Sequence, residues 1–296
     1  MANSSHVRSV SFPSRSQPEY LRVEIEVNRL KTWESLLISS TTIPLRLKTI
    51  QQGLVGLAEL YNCVQDLLDS PTIQQSLLKH QTGLLAEEAL EVSVGLIDSC
   101  GTTRELVLMM KEQVQDLQSA LRRKVGDSSI QNSFNAYVSY RKKVKKDIAK
   151  SLKTLKQMEN TIESSIAVDS DQSISKLLVV LRQVSALTIS VQRSQLYFLS
   201  SPASKVKKNG WSLISKMLIT KSMACKGDEK TINEVECVDF AVSSYLHKND
   251  FEVDVPMIQR KLQTLNIGLQ AMESGTECLS RLLIRNRVCF LNILTP

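Results

Sequence analysis

Glycine and proline are scarce in this chain, with ten glycines and seven prolines among 296 residues. That excludes collagen-like and low-complexity architectures and leaves few breaks between regular elements. Aromatic residues are only 5 % of the total, which suits helices packed through Leu, Ile and Val better than a β-sandwich. No run of eighteen apolar residues is present, so no spanning helix is predicted. The stretch that comes nearest, Leu177 to Val191, is interrupted by Arg182 and Gln183. The six cysteines (Cys63, Cys100, Cys225, Cys237, Cys278 and Cys289) form no C-x-x-C pair, and the opening residues do not read as a secretory leader. A disulfide framework is therefore not expected, and a reducing compartment, the cytoplasm, fits better.

Chemistry-bearing motifs are missing as well. There is no Gly-rich phosphate loop followed by Lys-Ser or Lys-Thr, no G-x-G-x-x-G after a strand and no G-x-S-x-G elbow. The three histidines, His6, His80 and His247, lie far apart, and neither E-x-x-H nor H-E-x-x-H occurs. Gly53-Leu54-Val55-Gly56 falls inside a helical pattern, where it permits close helix packing instead of phosphate binding. Glu87, Glu88 and Glu91 read as a solvated helix face. No catalytic residue, cofactor or metal site is predicted, and the chain is not read as an enzyme.

What is present is apolar periodicity. Apolar residues make up 42 % of the chain, enough for a core. After Pro18 the pattern predicts a helix from about Glu19 to Leu37, a second from Pro44 to about Asp69, and a short one from Pro71 to Thr82 or Gly83. From Leu84 to Lys124, Leu96, Cys100, Thr103, Val107, Met110, Val114, Leu117 and Leu121 step by alternating fours and threes. That is the mark of one buried helix face. Gly95 and Gly101 weaken this helix by about 1 kcal/mol each against Ala and allow a kink. Gly126 closes it, and Asp127 or Ser128 caps the next, whose seam runs through Ile130, Phe134, Tyr137, Arg141, Val144, Ile148, Ser151, Leu155, Met158 and Ile162. Arg141 in that seam is expected to carry its charge outward. The tight turn between the two predicts an antiparallel hairpin.

A further helix is predicted to about Leu199, with a stripe through Ile174, Leu177, Leu181, Val184, Thr188, Val191 and Phe198. A short one is expected near Trp211 to Ser222, and another from about Ile232 to His247. After Pro256 comes the most regular seam: Ile258, Leu262, Leu265, Leu269, Met272, Thr276, Leu279, Leu283, Asn286, Phe290 and Ile293. Burying that single seam does not offset the conformational entropy of so long a helix, so it needs partners on more than one side. The fold predicted is all-α: an elongated antiparallel helix bundle with a disordered N-terminal tail. Residues 1–18 form the Ser-rich basic tail, and 19–296 the bundle, with linkers near 200–210 and 224–230.

Two features carry functional hypotheses. The formal charge is +7 and the pI about 9.0, a moderate basic bias. It concentrates at Arg141, Lys142, Lys143, Lys145, Lys146 and Lys150, a candidate patch for anionic lipid or acidic protein. An ordinary solvated face is the competing reading. The segment lacks the aromatic interleaving of single-strand nucleic-acid binders, so no nucleic-acid partner is expected. In the tail, Arg8-Ser9-Val10-Ser11-Phe12-Pro13 fits R-S-x-S-x-P, which 14-3-3-type proteins read once the second serine is phosphorylated. Ser11 is the candidate phosphosite, with Arg8 upstream and Pro13 turning the chain out of the groove. The same tail composition also occurs in organelle transit peptides, so organelle targeting stands beside a cytosolic tail.

Several stretches resemble a land-plant domain-of-unknown-function family related to the BYPASS proteins. They are MANSSHVRSVSFPSRSQP, GLAELYNCVQDLL, DSCGTTRELVLMMKEQVQDLQSALRRK, NAYVSYRKKVKKDIAKSLKTLKQM and ESGTECLSRLLIRNRVCFLNIL. The likeness spans essentially the whole chain. It implies a helical protein with no enzymatic chemistry or catalytic residues to carry over, and a role in root and shoot development. The function read at this stage is a non-enzymatic helical protein acting through protein–protein contacts, with a peripheral membrane adaptor as the alternative.

Overall fold

The computed structural model describes residues 18–39, 45–79, 84–123, 127–164, 172–200, 232–246 and 255–295. These hold helices α1 (Pro18–Ser39), α2 (Leu47–Leu68), α3 (Pro71–Lys79), α4 (Leu84–Arg122), α5 (Asp127–Ser164), α6 (Gln172–Ser200), α7 (Glu234–Leu246) and α8 (Val255–Leu294). No strand occurs among them. At about 1.5 Å per residue, α4, α5 and α8 are each roughly 57–60 Å long, so the bundle is elongated.

The predicted seams largely follow the buried faces; in α6, Leu177, Val184, Thr188, Val191 and Phe198 are buried and Leu181 is half-buried. Every seam position given above for α4 and α8 is buried. In α5 the seam is buried except at Ser151 and Met158, which are half-buried. α4 passes through Gly95 and Gly101 as one helix, without the break that its glycines allow. The Trp211 helix, Gly126, Pro44, tail residues 1–17 and linker residues 201–210 and 224–230 lie outside the described residues, while Pro18 and Ser200, placed in the tail and a linker, are the ends of α1 and α6.

Cross-helix bonds fix the directions. α4 and α8 run antiparallel. Arg287 reaches the Leu90 carbonyl, Cys100 Sγ donates to the Thr276 carbonyl, Lys111 pairs with Glu273, and Gln118 Nε2 donates to Gln263 Oε1. α1 and α2 are antiparallel as well, through Arg22–Asp66 and Arg29–Glu59. α2 and α8 instead run parallel: Leu47 and Leu54 meet Gly268 and Gly275, and Asn286 Nδ2 donates to the Tyr61 carbonyl. α8 packs on α4, α2 and α7, which meets its requirement for several partners. The Gly53–Gly56 pair does serve close packing: a Cβ at Gly53 would stand 2.6 Å from Trp33 of α1.

One layer of this core is polar. Along α6, Tyr61 Oη lies 2.9 Å from Thr188 Oγ1, whose own proton goes to the Val184 carbonyl, so the phenol is the donor. Gln192 accepts from the Ser99 hydroxyl at 2.7 Å and donates to the Leu96 carbonyl at 3.3 Å. Gln195 Nε2 donates to Thr276 Oγ1 at 2.6 Å. Both glutamines are fully buried. Their bonds join α6 to α4 and α8, and Gln195 Oε1 is buried without a partner.

Candidate functional site

α5 brings the basic segment together. Its buried face follows the seam, and at about 100° per residue Lys142, Lys143, Lys146, Lys150 and Lys153 fall in an arc of roughly 100° directly opposite. Lys145 stands on the flank. All six are exposed. None forms an ion pair among the described residues, and Asp147 is the one acidic residue among them. Lys153, with the same three- and four-residue spacing from its neighbours, extends the strip beyond the segment singled out from the sequence. No large apolar side chain of α5 is exposed, so any contact made by this face is electrostatic rather than insertional.

Arg141 is a correction. It was expected to carry its charge outward and to join the patch, but it is only 5 % exposed. Its Nε donates to Asp239 Oδ1 at 2.9 Å and its Nη2 to Oδ2 at 3.0 Å, a two-pronged pair with α7. Nη1 donates to the Leu199 carbonyl at 2.8 Å. That carbonyl is in the last turn of α6, where helix carbonyls lack intrahelical partners and a cation is favoured. Burial opposes the charge, but Asp239 and its hydrogen bonds outweigh it and raise the pKa above the ordinary arginine value. Tyr137 Oη donates to Asp239 Oδ1 at 2.8 Å, and Phe134 meets Tyr245 edge-on at 4.6 Å. One face of α5 thus clasps α7 and the end of α6, while the other presents lysines to solvent.

α7 itself starts at a reciprocal cap that its sequence encodes. The Glu236 N–H donates to Asn233 Oδ1 at 2.8 Å, and the Asn233 N–H donates to Glu236 Oε2 at 3.0 Å. This is the asparagine form of a capping box.

Ser11, Arg8 and Pro13 lie outside the described residues. Among the described residues no group of three or more His, Cys, Asp or Glu could hold a metal, and no helix is long and apolar enough to cross a membrane. Glu88, one of the acids read as a solvated face, is paired across the core edge with Arg182 at 3.0 Å. No curated protein and no solved structure matches the chain. The family model described as Protein BPS1 matches residues 53–293, from α2 to the end of α8. With so much of the chain covered, this protein belongs to the BPS1 family, a BYPASS-related plant family.

Proposed function

We infer that this protein is non-enzymatic and acts through protein–protein contacts, in root and shoot development. The developmental part rests on the BYPASS relationship. The contact part rests on one observation: α5 holds an outward strip of lysines that form no ion pair among the described residues. An acidic protein surface is the partner that such a strip fits, and the cytoplasm is the compartment we assign. Affinity capture of the full-length protein from root and shoot tissue is expected to retain specific proteins that are released by salt. Capture that yields no specific protein contradicts this reading.

The exposed lysine strip on α5 also favours a second reading as a peripheral membrane adaptor held by charge alone. Each lysine near an anionic bilayer contributes about 1 kcal/mol. The attraction fades as the screening length shrinks from about 10 Å at 0.1 M salt to about 3 Å at 1 M. Flotation with phosphatidylserine vesicles at low salt is expected to be lost when Lys142, Lys143, Lys145 and Lys146 are changed to Glu. Unchanged flotation of that variant removes the membrane reading.

A further inference from the structure

A groove of about 620 Å³ opens between the end of α1, the start of α2 and the last turns of α6. Trp33, Leu36 and Ile38 line it from α1, Leu45 from the approach to α2, and Tyr197 from α6. Its rim is apolar and open to solvent: Leu36 is 62 % exposed, Ile38 73 % and Tyr197 49 %. Large apolar side chains gathered round one groove mark a contact surface. The lining also holds Arg193, which is paired with Glu159 of α5. Glu34, half-buried in the same lining, forms no ion pair among the described residues.

The chain itself supplies an occupant. Residues 201–231 leave from Ser200, one turn beyond Tyr197, and return just before Asn233 and Glu234 at the start of α7. Glu234 Oε2 accepts from the Leu47 N–H at 3.4 Å, so the return point stands at the start of α2. Arg141 binds both the Leu199 carbonyl and Asp239, which holds the end of α6 beside α7. The segment therefore leaves and re-enters beside the groove walls. Its sequence places Trp211, Ile214 and Leu218 at the i, i+3, i+7 spacing by which a helix anchors in an apolar groove. Trp211 is eleven residues from Ser200, a reach of up to about 36 Å. Lys205, Lys207 and Lys208 ahead of Trp211 suit the acid in the lining. The N-terminal tail fits less well, because it joins α1 at Pro18, roughly 30 Å along the helix from Ile38. A second copy is also disfavoured, because a tethered segment meets the groove at an effective concentration in the millimolar range.

We propose that residues 211–218 dock in this groove as a helix, with Trp211, Ile214 and Leu218 against Leu36, Ile38 and Tyr197. This site is separate from the α5 lysines and from the partner reading drawn from them.

Hydrogen–deuterium exchange of the full-length protein, read by mass spectrometry on peptides covering 211–219, tests it. An isolated helix this short is marginal in water, so slow exchange there reports docking. The wild type is expected to exchange at least about tenfold more slowly than the same sequence as a free peptide. Leu36→Asp combined with Ile38→Asp is expected to remove that protection. Tyr197→Asp, on the α6 wall, is expected to do the same, an arm that holds even if the first variant fails to fold. Ile284→Asp, at an exposed apolar residue of α8 outside the groove, is expected to leave the protection unchanged. The proposal is overturned by free-peptide rates in the wild type, by protection that survives the wall variants, or by equal loss in Ile284→Asp. It is also overturned if protection disappears on dilution together with a dimer, the sign of a second copy in the groove.

Discussion

Arg141 is the residue at which sequence reasoning reached the right place and the wrong chemistry. Its seam position was legible, because the four–three spacing runs through it. Its partner was not: Asp239 lies 98 residues away, and no periodicity links the two. The pair makes an asymmetric prediction. Asp239→Ala strands a buried guanidinium and is expected to cost about 3–5 kcal/mol. Arg141→Met removes the buried charge and leaves a carboxylate that is 27 % exposed and can hydrate, so its expected cost is about 1–2 kcal/mol. Urea melts of the two variants check the order, and equal losses contradict it. Cys100 gives a second test at this scale. Burial pushes its thiol up to about 12, against an opposing pull from Arg104. At mildly alkaline pH it is therefore protonated and enclosed, and iodoacetamide is expected to label it only after unfolding. Peptide mass spectrometry reads the outcome, and native labelling of Cys100 at the rate of a free thiol contradicts it.

At the level of elements, the long helices were readable and the contacts between them were only half so. α4, α5 and α8 announce themselves because a seam repeated over many turns leaves one way to bury it. α7 is shorter, and its start was placed near Ile232; the Asn233–Glu236 cap begins the helix at Glu234. The polar layer on α6 was not legible apart from Thr188, since Gln192 and Gln195 lie off the predicted stripe and only the fold surrounds them. Glycines make the contrast testable. Gly101 has nothing within 4 Å of an added Cβ, so Gly101→Ala is expected to stabilise the protein by about 0.5–1 kcal/mol through helix propensity. Gly53→Ala gains the same propensity but meets Trp33, whose indole is pinned by its N–H to the Thr49 carbonyl at 2.9 Å. Overpacking of this kind costs about 1–3 kcal/mol, so a net loss is expected. Thermal midpoints moving in opposite directions support the packing described here, and a rise in both contradicts it.

For the molecule as a whole, the sequence carried the fold class but not the arrangement. Short connections predict antiparallel neighbours, and α1/α2 and α4/α5 are antiparallel, the latter with Gly95 against Met158 and Arg141 against Met110; α4 and α8 are antiparallel too, but no turn joins them. The parallel contact of α2 with α8 joins helices from opposite ends of the chain, which no local signal encodes. That contact closes the core beside α8, while α5 packs on α4, α6 and α7 with its seam turned in and its lysines turned out. The basic face was legible because charge and period coincide in one segment, and Lys153 was overlooked because it lies one turn beyond the dense run. The Protein BPS1 match begins within α2 and ends in α8, so it takes in both the parallel contact and the lysine face. The functional claim reduces to whether that face is where partners dock. The measurement is quantitative affinity capture from root tissue, comparing the wild type with a folded variant carrying Lys142→Glu, Lys143→Glu, Lys146→Glu and Lys150→Glu. The predicted result is that the specific proteins held by the wild type are lost from the variant while its helical content and melting behaviour stay the same. Retention of the same proteins by the variant, at the same levels, would contradict it.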